Sequence, residues 1–178
     1  MATLNSTPAP SGPRKLPFFD LCDPSGRYTA RRPLTPEQIV QAAKAVLAHR
    51  CTRGTSFTSP DAATDYLIVH YSGRPAEVFT CLFLDNRHGL ISVEDLFHGT
   101  IDGASVHPRE IVRRCIELNA AAVILAHNHP SGTTQPSQSD LRITQRVKEA
   151  VALVDVRVLD HLVVGGDQAY SFASHGLI

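Results

Sequence analysis

Three observations predict an α/β fold, a mixed β-sheet flanked by helices. Apolar runs over residues 77–84 and 121–127 are short, nearly continuous and bounded by turn residues, the pattern of buried strands. Helical spacing of apolar positions recurs at 34–47, 108–118 and 137–153. Helical and strand patterns also alternate in the second half, the signature of a sheet covered by helices.

Residues 1–33 are proline-bearing with few periodic apolar positions and read as a flexible N-terminal tail, with 16–21 able to dock on something. Residues 34–73 read as a helical N-terminal extension. Thr35 and Gln38 have the spacing of a capping box, Pro36 suits the first helical turn, and Leu34 can staple onto Ile39. Ile39, Ala43, Val46 and Leu47 then mark one face. A second helix is expected from Ser59-Pro60 to about Gly73. Residues 74–178 form the expected main domain. It starts with a strand at 77–84, turn chemistry at 85–89, and a hairpin partner at 90–97. A helix over 108–118 should turn Ile111, Val112, Cys115 and Ile116 inward. Then come a strand at 121–127, a Pro- and Gly-bearing loop and a helix from Ser137 to about Leu153. Short strands are expected at 156–159, 161–164 and 170–172.

Composition limits the function classes. A chain of 178 residues with 43% hydrophobic residues can bury its own core. Seventeen basic and seventeen acidic residues give a formal net charge of zero, which removes a global electrostatic case for nucleic acid. Cys22, Cys51, Cys81 and Cys115 are widely spaced without a Cys-x-x-Cys pair. They read as reduced or buried thiols of a cytoplasmic protein. No apolar run has the length of a signal or membrane-spanning segment, so no membrane role is expected.

The chemistry concentrates in Ala126-His127-Asn128-His129-Pro130, followed by Ser137 and Asp140. Alternate side chains of a strand share a face, so both imidazoles can address one point. Asp140 adds a carboxylate if the loop over 130–136 folds back and a helix starts near Ser137. Two histidines, one acid and an open position compose a catalytic zinc site, whereas closed structural sites recruit cysteine. Nine histidines in this chain give about half a His-x-His pair by chance, so the pair alone is weak. Ser137-x-x-Asp140 also has the spacing of a helix cap. The combination after an apolar strand favours the metal.

His127-x-His129-Pro130 with Ser137 and Asp140 resembles the JAMM motif of the MPN/JAB1 metalloprotease superfamily. Within it, Val106-His107-Pro108-Arg109-Glu110, Pro136-Ser137 and Asp160-His161-Leu162-Val163-Val164-Gly165 are similar to the RadC-like proteins. The resemblance covers roughly residues 59–178. It implies an MPN version of the α/β architecture, one zinc per chain held by His127, His129 and Asp140, and hydrolysis of peptide or isopeptide bonds. It also implies Glu77, at the start of the first long strand, as general base and acid, although Glu94 and Glu110 also lie in the domain. Ser137 would donate to the oxyanion of a tetrahedral intermediate, and its helix-capping role is compatible with that. His161, with Asp160 beside it, can stand behind a metal-bound histidine or simply be a satisfied core residue.

Two other classes compete. One is a DNA-repair-associated protein touching phosphates through Arg27, Arg31 and Arg32 or Arg113 and Arg114. The helix-hairpin-helix module of longer RadC-like chains is not recognisable here. The other is a catalytically silent metal-binding scaffold for a protein partner.

Overall fold

The computed structural model describes residues 16–22, 27–50, 60–99 and 105–178. Expectations for 1–15, for Ser59 and for Cys51 therefore lie outside the described residues. The chain packs as two compact units, one up to Val46 and one from Leu47 onward.

In the first unit, β1 (Phe19–Leu21) pairs antiparallel with β2 (Tyr28–Ala30). The first strand of this small ribbon falls within residues 16–21, the part of the tail expected to dock. Arg31 braces it, donating to Asp20 Oδ1 at 2.7 Å and to the Phe19 carbonyl at 3.1 Å. Helix α1 (Pro36–Arg50) starts with the expected capping box: Thr35 N donates to Gln38 Oε1 at 3.2 Å, and Gln38 N to Thr35 Oγ1 at 3.4 Å. Ile39, expected inward, is 54% exposed, while Ala42 is buried. The buried stripe is thus rotated from the one the apolar spacing suggested.

The second unit is a five-stranded mixed sheet between helices. Helix α2 (Pro60–Tyr71) precedes β3 (Val78–Leu84) and β4 (Leu90–His98). Helix α3 (Pro108–Leu118), β5 (Ala122–Asn128), α4 (Gln138–Ala152), β6 (Arg157–Gly165) and β7 (Gln168–Ser171) follow. Sheet order is β4-β3-β5-β6-β7. Only β5 and β6 run parallel, because α4 carries the chain back across the sheet between them.

Alternation along the strands makes two cores. Val78, Leu82, Leu84, Ile124 and Leu162 pack with Ala63, Leu67 and Tyr71 of α2. On the other face Phe79, Cys81, Phe83, Val123 and Leu125 pack with Ile111 and Cys115 of α3 and Val147 and Val151 of α4. Burying roughly a hundred Å² of apolar surface stabilises by about 2.5 kcal/mol, so α2 is held by its own apolar stripe. Ile116, expected inward, is 63% exposed. It follows Cys115 by about 100° around α3, which turns it off the buried face.

The strands expected at 156–159 and 161–164 are one strand, β6, with a register shift that leaves Leu159 unpaired against β5. The polar Asp160-His161 pair looked like a break. Inside the sheet, however, the buried Asp160 carboxylate accepts from His161 N at 2.7 Å, Ser171 Oγ at 2.6 Å and Ala173 N at 2.9 Å. Those bonds satisfy a charge that a strand interior would otherwise reject.

Among the described residues, no helix is long and apolar enough to cross a membrane.

Candidate metal centre

His127 is the penultimate residue of β5, on the α3–α4 face of the sheet, and is 1% exposed. His129 follows the strand end, and Asp140 lies in the first turn of α4. The loop between them turns at Gly132, where φ is +85°, a conformation that favours glycine. It crosses Gly165 so closely that a Cβ there would lie 2.5 Å from the Gly132 carbonyl oxygen.

Fold and loop bring the three side chains together. Nε2 of His127 is 3.0 Å from Nε2 of His129 and 3.4 Å from Oδ1 of Asp140. Nε2 of His129 is 3.8 Å from Oδ2 of Asp140. A tetrahedral ion with ligand bonds of about 2.0–2.1 Å spaces its ligand atoms about 3.3–3.4 Å apart, and the observed spacings bracket that value. His129 Nδ1 faces the Thr133 carbonyl oxygen at 3.0 Å, which only accepts. The ring hydrogen of neutral His129 therefore sits on Nδ1, and Nε2 offers a lone pair. The donor set and its spacing fit a divalent cation, and the three residues could hold a metal ion.

Burial would raise the Asp140 carboxyl, but the neighbouring His127 and the bonds to Ser137 hold it below the ordinary carboxylate range. Ser137 caps α4. Its Oγ accepts from Asp140 N at 3.2 Å, and Ser137 N donates to Asp140 Oδ2 at 2.7 Å. The hydroxyl keeps its own hydrogen, so capping leaves it able to donate elsewhere.

Behind the three residues lies a buried core. The Phe79 ring stacks parallel to His127 at 6.2 Å, and His161 packs against Phe172 at 4.8 Å. His161 Nε2 is 2.9 Å from His127 Nδ1, and its Nδ1 is 2.6 Å from Thr144 Oγ1. Burial, then the neighbouring His127, push the His161 imidazole well below the ordinary histidine range. Asp160 reaches His161 only through its main-chain N–H, anchoring the strand rather than the ring.

In front is a cleft of about 560 Å³ lined by Glu77, Gly99, His129, Pro130 and Ser131 among others. Glu77 and His129 thus share one cavity. Glu94 instead binds Arg114 and Ser92, and Glu110 pairs with Arg113.

Asn128, between the two histidines, was not singled out by sequence. Its Oδ1 accepts from Val78 N at 2.8 Å and its Nδ2 donates to the Ala76 carbonyl at 3.1 Å. It therefore clamps the main chain on both sides of Glu77. A buried Asn at a strand end is the only signal the sequence offered. Gly165 and Thr144 were likewise missed, because their partners are distant in sequence.

Residues 57–177 match the family model described as a RadC-like JAB domain. The chain is 59% identical over 126 residues to a UPF0758 protein of Nitrosococcus oceani, covering 71% of this chain and 56% of that one. It is 51% identical over 140 residues to a UPF0758 protein of Stutzerimonas stutzeri, covering 79% and 62%. A UPF0758 protein of Vibrio cholerae is 48% identical over 153 residues, covering 86% and 96%. The chain thus spans under two thirds of the length of the first two of these relatives. It belongs to the RadC-like JAB domain family.

Proposed function

We propose that this member of the RadC-like JAB family is a zinc-dependent hydrolase of amide bonds, a peptidase or isopeptidase working with activated water. The observation that carries the reading is the convergence of His127, His129 and Asp140 beside a cleft that also holds Glu77. Bound by those three residues, zinc supplies Lewis acidity for the amide carbonyl and for water. His129 lines the cleft, Asp140 is partly exposed beside it, and His127 is buried.

Glu77 takes the proton of the attacking water and delivers it to the leaving nitrogen, as a carboxylate within reach can do. Asn128 fixes the main chain that carries Glu77, so the carboxylate works from a rigid base. Ser137 donates its free hydroxyl hydrogen to the oxyanion, an interaction whose loss raises such barriers by about 2.7–4 kcal/mol. Its cap bond to Asp140 N holds the oxygen in place. The substrate is an extended peptide or isopeptide able to enter the cleft, and the protein acts in the cytoplasm.

The nucleic-acid reading loses support from the ion pairs. Arg113 is engaged by Glu110 and Glu117, Arg114 by Glu94 and Glu117, and Arg31 by Asp20. Phosphates would have to displace carboxylates at those positions.

The test is elemental analysis of protein purified without added metal, beside His127→Ala, followed by a peptide and isopeptide screen. About one zinc per chain, absent from the variant, with turnover that falls at least a hundredfold in Glu77→Gln, is the expected result. Zinc without any turnover would reduce the domain to a metal-binding scaffold. Turnover unaffected in Glu77→Gln would remove Glu77 as the base.

A further inference from the structure

Hydrogen-bond direction behind the site can be read from one donor that has no choice. The Thr144 hydroxyl lies 2.6 Å from the main-chain carbonyl oxygen of Asp140. A carbonyl only accepts, so the hydroxyl hydrogen is committed there. Toward His161 Nδ1, also at 2.6 Å, Thr144 Oγ1 must then accept, and Nδ1 of His161 carries a hydrogen. His161 is fully buried, and the only hydrogen-bond partners of its ring among the described residues are the Thr144 hydroxyl and Nδ1 of His127, the latter at 2.9 Å. One ring hydrogen satisfies both contacts, provided that Nε2 of His161 is bare and accepts from Nδ1–H of His127. Nε2 of His127 is then bare as well, and it faces His129 and Asp140.

We propose that Thr144 and His161 are positioning residues that fix the hydrogen of His127 on Nδ1 and thereby keep Nε2 of His127 open to a divalent cation. This rests on the zinc reading of the site and adds a control to it. The bonds form a circuit between two of the three ligand residues. Asp140 gives its side chain to the centre and its main-chain carbonyl to Thr144; from there the direction passes through His161 to His127. Each link has a single donor, so reversing one reverses the next. With no acceptor at position 144, His161 gains by moving its hydrogen to Nε2. His127 Nδ1 must then accept, and the hydrogen of His127 occupies the nitrogen that should bind the ion. A residue that never touches the cation would in this way decide whether it can bind. Outer partners of this kind are worth about ten- to a hundredfold in metal affinity.

Thr144→Val keeps the shape of a residue that is 3% exposed and removes the hydroxyl, both the acceptor for His161 and the donor to the Asp140 carbonyl, whereas Thr144→Ser keeps both. Zinc affinity would be measured by chelator competition, and ring hydrogens by two-bond proton–nitrogen correlation spectra of labelled histidine. The parent should show His161 with its hydrogen on Nδ1, and Thr144→Val should bind zinc about ten- to a hundredfold more weakly with that hydrogen moved to Nε2. Thr144→Ser should restore both readouts. A folded Thr144→Val that binds zinc as the parent does, or a parent whose His161 hydrogen sits on Nε2, overturns the proposal. If Thr144→Val does not fold, the parent spectrum and the Ser variant decide. Should the parent take up no zinc, the hydrolase reading fails by itself, and the spectrum of the metal-free parent still decides the hydrogen-bond direction.

Discussion

On the α2 side of the sheet, Asp95 sits among donors: His70 Nε2 at 2.8 Å, Arg74 at 2.8 Å and the Thr80 hydroxyl at 2.7 Å. On the α3–α4 side, His127, His129 and Asp140 turn acceptor atoms toward one another at 3.0–3.8 Å. Both clusters combine histidine with aspartate beneath helices of the same sheet. The first closes its charge internally, with a carboxylate matched by a guanidinium and by hydrogen-bond donors. In the second, Ser137 N donates to Asp140 Oδ2, and with the proposed ring hydrogens on Nδ1 both imidazole Nε2 atoms and Asp140 Oδ1 keep lone pairs. Side-chain composition alone would not separate the two clusters; the direction in which the donors point does.

Asp140→Ala set against added zinc should separate the two clusters most strongly. In the parent, a thousandfold excess of zinc over its dissociation constant should stabilise the fold by about 4 kcal/mol. Asp140→Ala should lose all of that shift, while the metal-free variant drops by only about 1 kcal/mol through the lost cap. Thermal unfolding with and without zinc reads both, and an undiminished zinc shift in the variant would mean that Asp140 is no ligand.

Asp95→Ala should do the reverse, destabilising by about 2–4 kcal/mol, between a surface pair and a fully buried one, with zinc affinity unchanged. The pH dependence sharpens this. Burial would raise the Asp95 carboxyl, but the bonds from His70 and Thr80 and the charges of His70 and Arg74 hold it well below the ordinary range. A depressed native value means stability that is present above the unfolded carboxyl value of about 3.9 and is lost as pH falls below it. Denaturant titrations from pH 6 to pH 2 should show a shallower acid loss in Asp95→Asn than in the parent.

Gly165→Ala has a smaller effect, confined to the metal side. The added methyl must displace the Gly132–Thr133 main chain, and the Thr133 carbonyl orients His129. A loss of about tenfold in zinc affinity is expected, read by chelator competition, and equal affinity would show that the loop can yield without moving His129. Tyr71→Phe is the smallest. The Tyr71 hydroxyl is buried with no hydrogen-bond partner among the described residues, so its removal should leave the unfolding free energy within about 1 kcal/mol of the parent, on the stabilised side.

Much of this was legible in residue order, because it depends on neighbours along the chain. The Thr35–Gln38 capping box, the 108–118 helix, the hairpin around 85–89 and the approach of His127 to His129 all follow from spacings of two to four residues. Ile39 and Ile116 were misjudged because an apolar residue identifies a helix but does not fix which way the helix is rotated against its neighbours. Strand β6 was split because Asp160 is costly in a strand unless Ser171 and Ala173 come to it, and they arrive through the later turn into β7. Asn128 was passed over between two more reactive residues, yet it binds main chain fifty residues upstream.

Residue order alone, then, determined the strand, the helix and the three candidate metal-holding side chains, since periodicity and side-chain chemistry are local properties. Tertiary structure alone decided that α4 lands Asp140 beside both histidines, that Asn128 grips the chain around Glu77, and that Thr144 and His161 stand behind His127. Those contacts join residues 11 to 52 positions apart, and a distance of that kind is fixed by how the sheet and helices close their cores, which no local pattern encodes.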